Sequence, residues 1–211
     1  MTTVATVKSE AGGTGAEVPR SIEKIRTAAL QSFAAHGTAA TTLRGVAAAA
    51  GVSLGLVQHH FATKAGLIKA VDEYVVDVVI TPMAQPVSEL VADSVSEVGN
   101  RVNRLFVEHP DVAAYLGRAL VDGSQLGATV FDRLYEVGTL RWQQRAERGQ
   151  THPDIDLQWA VVNALILPLG GISMRGHIER NLSVSFTAPE HLERWQAAVN
   201  QLLRDGLFRK P

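Results

Sequence analysis

The chain has 211 residues, of which 46 % are hydrophobic and 19 % charged, with a formal net charge of −1 and no cysteine. That balance suits one large or two small soluble domains with a real core, and the missing thiols exclude disulfides, thiolate catalysis and Cys-based zinc sites. The most apolar stretch, Trp159 to Ile172, is interrupted by Asn163, Pro168 and two glycines, so no membrane span is expected. The N-terminus has no apolar secretion core, which makes the expected location cytoplasmic.

Residues 1–17 are rich in Thr, Ala and Gly without periodic burial, and read as a disordered tail. Pro19 suits the first turn of a helix, and Ile22, Ile25, Ala29 and Phe33 then form one buried stripe that His36-Gly37 ends. Thr42 is placed to cap a second helix carrying Leu43, Val46, Ala47 and Ala50. Gly51 offers the left-handed position that stops it. Ser53 caps a third helix with Leu54, Val57 and Phe61 at helical spacing, and Thr63 caps another that starts at Lys64. Two short helices around a tight Gly-containing turn make a helix-turn-helix, whose second helix can lie in a DNA major groove.

Charge supports that reading. Between Val18 and Ala70 the cations Arg20, Lys24, Arg26, Arg44, Lys64 and Lys69 face Glu23 alone, a basic head on a mildly acidic chain. Such a head attracts phosphate regardless of sequence, while a groove-entering helix supplies the readout. In the reading helix Leu54, Gly55, Gln58 and His59 are candidates for base or phosphate contact, and Gln58 has the amide geometry to bond adenine. His59 and His60 point about 100° apart, so they make no metal pair, and one of them is a candidate phosphate contact. Thr42, Arg44, Ser53 and Lys64 can meet phosphate through hydroxyls, charge and helix N-termini.

Residues 20 to 71 resemble the N-terminal domain of the tetracycline-repressor (TetR) family of bacterial transcriptional regulators. The resemblance rests on IRTAALQSFAAHGTAATTLRGVAAAAGVS, then G-x-x-x-x-H-F, then K-x-x-L. Gln58 stands where that family usually has a tyrosine. The resemblance implies a three-helix DNA-binding domain followed by a helical body that encloses a small-molecule pocket and dimerises through its last two helices.

From Lys64 a linking helix runs through Leu67, Val71, Val75 and Val78 to about Ile80, closed by Thr81-Pro82 and Gln85-Pro86. No strand-like alternation follows. Helices are predicted over 88–108, 111–121, 125–149, 154–175 and 189–207. The division expected is therefore 18–64 for the helix-turn-helix domain, 65–84 for the linking helix and 85–211 for the all-α body.

On the last two helices Trp159, Val162, Leu165, Ile166 and Leu169, with Leu192, Trp195, Val199, Leu202 and Leu203, form an apolar face that suits a homodimer interface. A two-fold dimer also matches a palindromic double-stranded operator. Following the resemblance, the candidate effector-lining residues are Phe106, Tyr115, Leu116, Phe131, Tyr135, Trp142, Asn163 and Met174, and the scarcity of charge among them suggests an apolar or neutral effector. No cofactor or metal site is expected. An enzyme reading finds no GxSxG, phosphate-cradling loop or His-x3-His spacing; the closer rival is a DNA-binding architectural protein without an effector.

Overall fold

A computed structural model describes residues 17–208, so all but the last residue of the expected tail falls outside it. The described residues form ten helices: α1 (Glu17–Ala40), α2 (Leu43–Ala50), α3 (Leu54–Phe61), α4 (Lys64–Ala84), α5 (Val91–Glu108), α6 (Pro110–Val121), α7 (Gln125–Glu147), α8 (Leu157–Ser173), α9 (Arg175–Glu179) and α10 (Pro189–Leu207). Their only β pairing is an isolated bridge between Thr151 and Phe208. The fold is all-α.

Local signals set most boundaries. Ser124 caps α7 by accepting from Gly127 N at 3.4 Å, and Asp156 caps α8 by accepting from Trp159 N at 3.1 Å. Pro110 and Pro189 open α6 and α10, where a missing N–H costs nothing. The stop expected at His36-Gly37 is a break inside α1, where Gly37 leaves helical geometry at φ 82° and ψ 163° before the chain resumes to Ala40.

Several boundaries differ from expectation. The linking helix α4 continues past Pro82 to Ala84 instead of closing near Ile80. Proline forfeits its own N–H bond to the carbonyl of Val78, but only two helical residues follow it, and guanidiniums take up the terminal carbonyls: Arg101 donates to Pro82 O at 3.1 Å and Gln85 O at 2.8 Å. Arg141 donates to Met83 O and, at 2.8 Å, to Gln85 O. The helix predicted from 88 starts at Val91, because Ser88 Oγ accepts from Leu90 N at 3.2 Å in a local turn. The helix predicted over 154–175 ends at Ser173, and α9 follows Met174 as a separate short turn.

One core runs through head and body. Ile25, Ala29 and Phe33 of α1 meet Val46, Val57 and Leu67, and the same cluster continues through Val71 and Val75 to Leu105, Leu116, Val130 and Ile172. The seam is α1 against α6, where the Phe33 and Tyr115 rings lie 5.7 Å apart. Arg118 of α6 also reaches the carbonyls of Ala34 and Ala35, each at 3.4 Å. A smaller cluster of Val95, Trp142, Ala160, Val161 and Phe208 closes the far end of the body. Of the glycine pair in α8, Gly171 serves close packing, since a Cβ there would sit 3.2 Å from the Trp195 ring of α10, whereas one on Gly170 would meet nothing within 4 Å.

Candidate nucleic-acid interface and the cavity behind it

The head is fixed by three hydroxyl caps. Thr42 Oγ1 accepts from Gly45 N, Ser53 Oγ from Leu56 N and Thr63 Oγ1 from Gly66 N, each at 3.1 Å, so α2, α3 and α4 all begin on a side-chain acceptor. Between α2 and α3, Gly51 sits at φ 66° in the left-handed region and Val52 N returns to Ala47 O at 3.0 Å. Val46 and Ala47 of α2 and Val57 of α3 are buried, so α3 turns its opposite side outward. Gly55, Gln58 and His59 are exposed there, and their spacing of three and four places them on one helix face. Thr42, Arg44 and Ser53 are exposed as well, while Leu54 is half-buried against the core.

Two of the nine candidates sit differently. His60 is turned inward: it is half-buried, its ring meets Phe61 edge-on at 6.2 Å and its Nε2 is buried without a hydrogen-bond partner. The turn of about 100° between neighbouring helical residues, which leaves His59 exposed, is what takes His60 off the outer face. Lys64 is half-buried, and its Nζ donates to Ala39 O at 3.0 Å, tying the start of α4 to the end of α1. Arg26 lies 4.1 Å over the Tyr74 ring and Lys69 pairs with Glu73 at 3.9 Å. The freely presented basic charge is thus smaller than the sequence count of cations.

Behind the head, α5, α7, α8 and α10 and the end of α4 enclose a cavity of about 160 Å³. Its apolar wall includes Val98, Val102, Leu134, Val161, Leu165 and Trp142. Ser94, Arg141, Arg145, Gln196 and Asn200 are its polar lining. Of the eight effector candidates only Trp142 lines it. Phe106 belongs to the main core, edge-on to Phe186 at 5.5 Å and to Trp195 at 6.0 Å. Tyr115 and Leu116 are buried in α6, whose apolar stripe packs into the common core; Phe131 and Tyr135 fill the margins of the two clusters. Asn163 is exposed, and Met174 is 56 % exposed. The aromatic stripes are largely spent on packing, and valine is the commonest residue in the cavity wall.

Residues 25–71 match the family model of bacterial regulatory proteins, tetR family. The chain is 29 % identical over 133 residues to the HTH-type transcriptional regulatory protein RaaS of Mycobacterium tuberculosis, a match covering 63 % of this chain and 60 % of RaaS. It is 32 % identical over 158 residues to the HTH-type transcriptional repressor Rv3405c of the same organism, covering 73 % of this chain and 75 % of the relative. The chain belongs to the tetR family of bacterial regulatory proteins. The tetR-family fold extends over the body too. SmeT, the repressor of the Stenotrophomonas maltophilia multidrug efflux pump SmeDEF, superposes with a TM-score of 0.70 at 19 % identity, over 90 % of this chain and 91 % of SmeT. The family and the matched relatives are transcriptional regulators rather than enzymes.

In this tetR-family member the residues assigned to a dimer face separate into three groups. Trp159, Ile166 and Leu202 are 59 %, 53 % and 63 % exposed, and Val162 is half-buried beside the first two. Leu165, Trp195, Val199 and Leu203 line the cavity. Leu169 and Leu192 are buried in the chain's own core, which removes them from any outward face. Among the described residues no helix is long and apolar enough to cross a membrane.

Proposed function

We propose that this regulator binds a palindromic operator as a homodimer, reads it with the outer face of α3, and represses until a small-molecule effector enters the cavity of the body. The observation that carries the reading is the exposed row Gly55, Gln58 and His59 on a helix whose other side is locked to α2 and whose N-terminus is capped by Ser53. A helix held so, with a glycine and a carboxamide outward, can enter the major groove without steric conflict and offer Gln58 to a base edge. Arg44 and the N-termini of α2 and α3 supply phosphate contacts on either side.

The dimer forms through the outward faces of α8 and α10. Trp159, Ile166 and Leu202 present large apolar side chains to solvent on two helices, which is the kind of patch that an interface covers. Release follows from α4, whose first turn is tied to the head by Lys64 and whose last turn borders the cavity at Met83. An effector that binds better when α4 is displaced shifts the population away from the DNA-binding state by its differential affinity.

The test is selection of bound sequences from a random DNA pool with the full-length protein. Enrichment of an inverted repeat with half-sites about one helical turn apart, ~34–36 Å, is the expected result. No enriched motif from a folded dimer would count against α3 as a specific reader.

A further inference from the structure

The cavity lining sets apolar side chains beside two arginines, Arg141 and Arg145, that no carboxylate among the described residues pairs with. Arg145 is only 9 % exposed, and it donates through Nη1 to Gln150 Oε1 at 3.0 Å and through Nη2 to Ser88 O at 3.3 Å. Arg141 donates through Nη2 to Met83 O and to Gln85 O at 2.8 Å. Among the described residues neither arginine forms an ion pair, and no Asp or Glu lines the cavity. Glu97, the carboxylate whose charge does reach Arg141, is committed to Arg101 at 3.6 Å and accepts from Ser88 N at 3.3 Å.

Neutral acceptors satisfy some of the guanidinium N–H groups but do not cancel the charge. Burying a cation without a counter-ion is costly, and two of them side by side cost more. Burial first, then the neighbouring arginines, push both groups below the ordinary arginine range: Arg101 and Arg145 act on Arg141, and Arg148 acts on Arg145. Hydrogen-bond capacity remains, since a guanidinium carries five N–H donors in a planar fork suited to a carboxylate. Ser94, Gln196 and Asn200 bring no charge, the Ser94 hydroxyl donates to Val91 O at 2.8 Å, and most of the remaining lining is apolar.

We propose that the cavity binds an amphiphilic carboxylate, its acidic head on Arg141 and Arg145 and its apolar body, on the order of ten heavy atoms, along Val98, Leu134, Val161 and Leu165. This rests on the effector reading above and differs from the apolar or neutral effector that the sequence suggested. It also supplies a route for release. Arg141 clamps the last-turn carbonyls of α4, so a carboxylate competing for the same guanidinium loosens the end of the helix whose start is tied to the head.

Trp142 and Trp195 line the cavity, so ligand entry is read by tryptophan fluorescence, without DNA, using decanoate and 1-decanol as probes. The expected result is saturable decanoate binding about tenfold or more tighter than 1-decanol, as charge-assisted bidentate bonding demands. Arg141→Met and Arg145→Met should each bring that ratio toward about one, chiefly by lowering decanoate affinity. Should a methionine variant fail to fold by circular dichroism, Arg145→Lys keeps the charge, loses the fork and should still lower the ratio. Absent decanoate binding, equal affinity for both probes, or a ratio untouched by these substitutions overturns the proposal.

A gel shift on the selected operator separates this idea from the wider reading. Arg-dependent decanoate binding that leaves the operator bound keeps the ligand class and sinks effector release. Release by a neutral compound with no decanoate preference does the reverse.

Discussion

Head and body use the same amphipathic helices, but the head settles its geometry within a few residues and the body does not. In the head α2, α3 and α4 each start on their own hydroxyl cap, and Gly51 supplies the one turn that α2 and α3 need. Which face of α3 looks outward follows from Val57 alone, because a single buried position on an eight-residue helix orients the rest. In the body, α8 is apolar on nearly every side, so burial of Ala160 and Val161 does not decide between Leu165 facing a cavity and Ile166 facing outward. That decision comes from how the neighbours α6, α7 and α10 pack around it, and not from residues within α8. Local codes travel in sequence; surfaces between remote helices do not.

The largest effect expected tests whether the two regions are energetically separate at all. Phe33 is fully buried on α1 and packs against Tyr115 of α6, at the seam between them. Phe33→Ala should cost about 3–5 kcal/mol, the range for truncating a buried aromatic. Because the core is continuous, thermal melting should show one cooperative transition moved to lower temperature. Two transitions, with the body's unmoved, would mean that the head folds independently and that the seam transmits little.

The outward face of the body comes next. Trp159→Glu or Leu202→Glu puts a carboxylate on the patch without touching the cavity or the buried core. If that patch is the two-fold interface, each should weaken dimerisation by about 2 kcal/mol or more, seen as monomer in sedimentation at micromolar concentration. An unchanged dimer would move the interface elsewhere on the body.

These experiments bear on what was legible beforehand. The positions of the caps, the break at Gly37 and the exposure of Gln58 and His59 follow from residue chemistry at fixed spacing, and the structure has them as expected. His59 and His60 point about 100° apart, which leaves one of them for the outer face, and it is His59 that is exposed. The cavity was hardly legible. Its lining depends on how valines from four helices meet, and the aromatics that drew attention, Phe106 and Tyr115, are the ones packed most tightly. Arg141 and Arg145 carried a usable signal: they stand four apart in a helix with a tryptophan between them, which puts two charges on a face meant for burial.

Within the head, a base contact and a phosphate contact should fail differently. Gln58→Ala should change preference at one operator position by about 1–3 kcal/mol of discrimination. Lys64→Ala should weaken all sequences about equally and flatten the salt dependence by about one unit of slope if its ammonium also meets phosphate. Because Lys64 already donates to Ala39 O, a loss of affinity with an unchanged salt slope would assign it to positioning alone. Random-pool selection and binding titrations at several salt concentrations distinguish these outcomes. Unchanged specificity in the Gln58 variant would move readout to another part of α3.

The smallest effect probes the seam through a proton. Tyr115 of α6 donates to Asp72 Oδ1 of α4 at 2.8 Å, a bond from the body to the linking helix. Burial raises the Asp72 carboxyl above its ordinary range, the Tyr115 bond partly opposes that rise, and Glu73 adds to it. Burial and the Asp72 carboxylate likewise push the Tyr115 hydroxyl upward, so it stays a donor across the working range. Between the ordinary carboxylate value and the raised one, the folded chain holds a proton that the unfolded chain has released. Stability from this group therefore falls as pH rises through that window. Tyr115→Phe removes the opposing bond and extends the window upward. Its cost, about 1–2 kcal/mol near neutral pH, should shrink under acid conditions, where Asp72 is protonated with or without the hydroxyl. Urea denaturation of both proteins from pH 4 to 8 measures this, and a penalty independent of pH would show that the tyrosine contributes packing rather than a bond to a charged carboxylate.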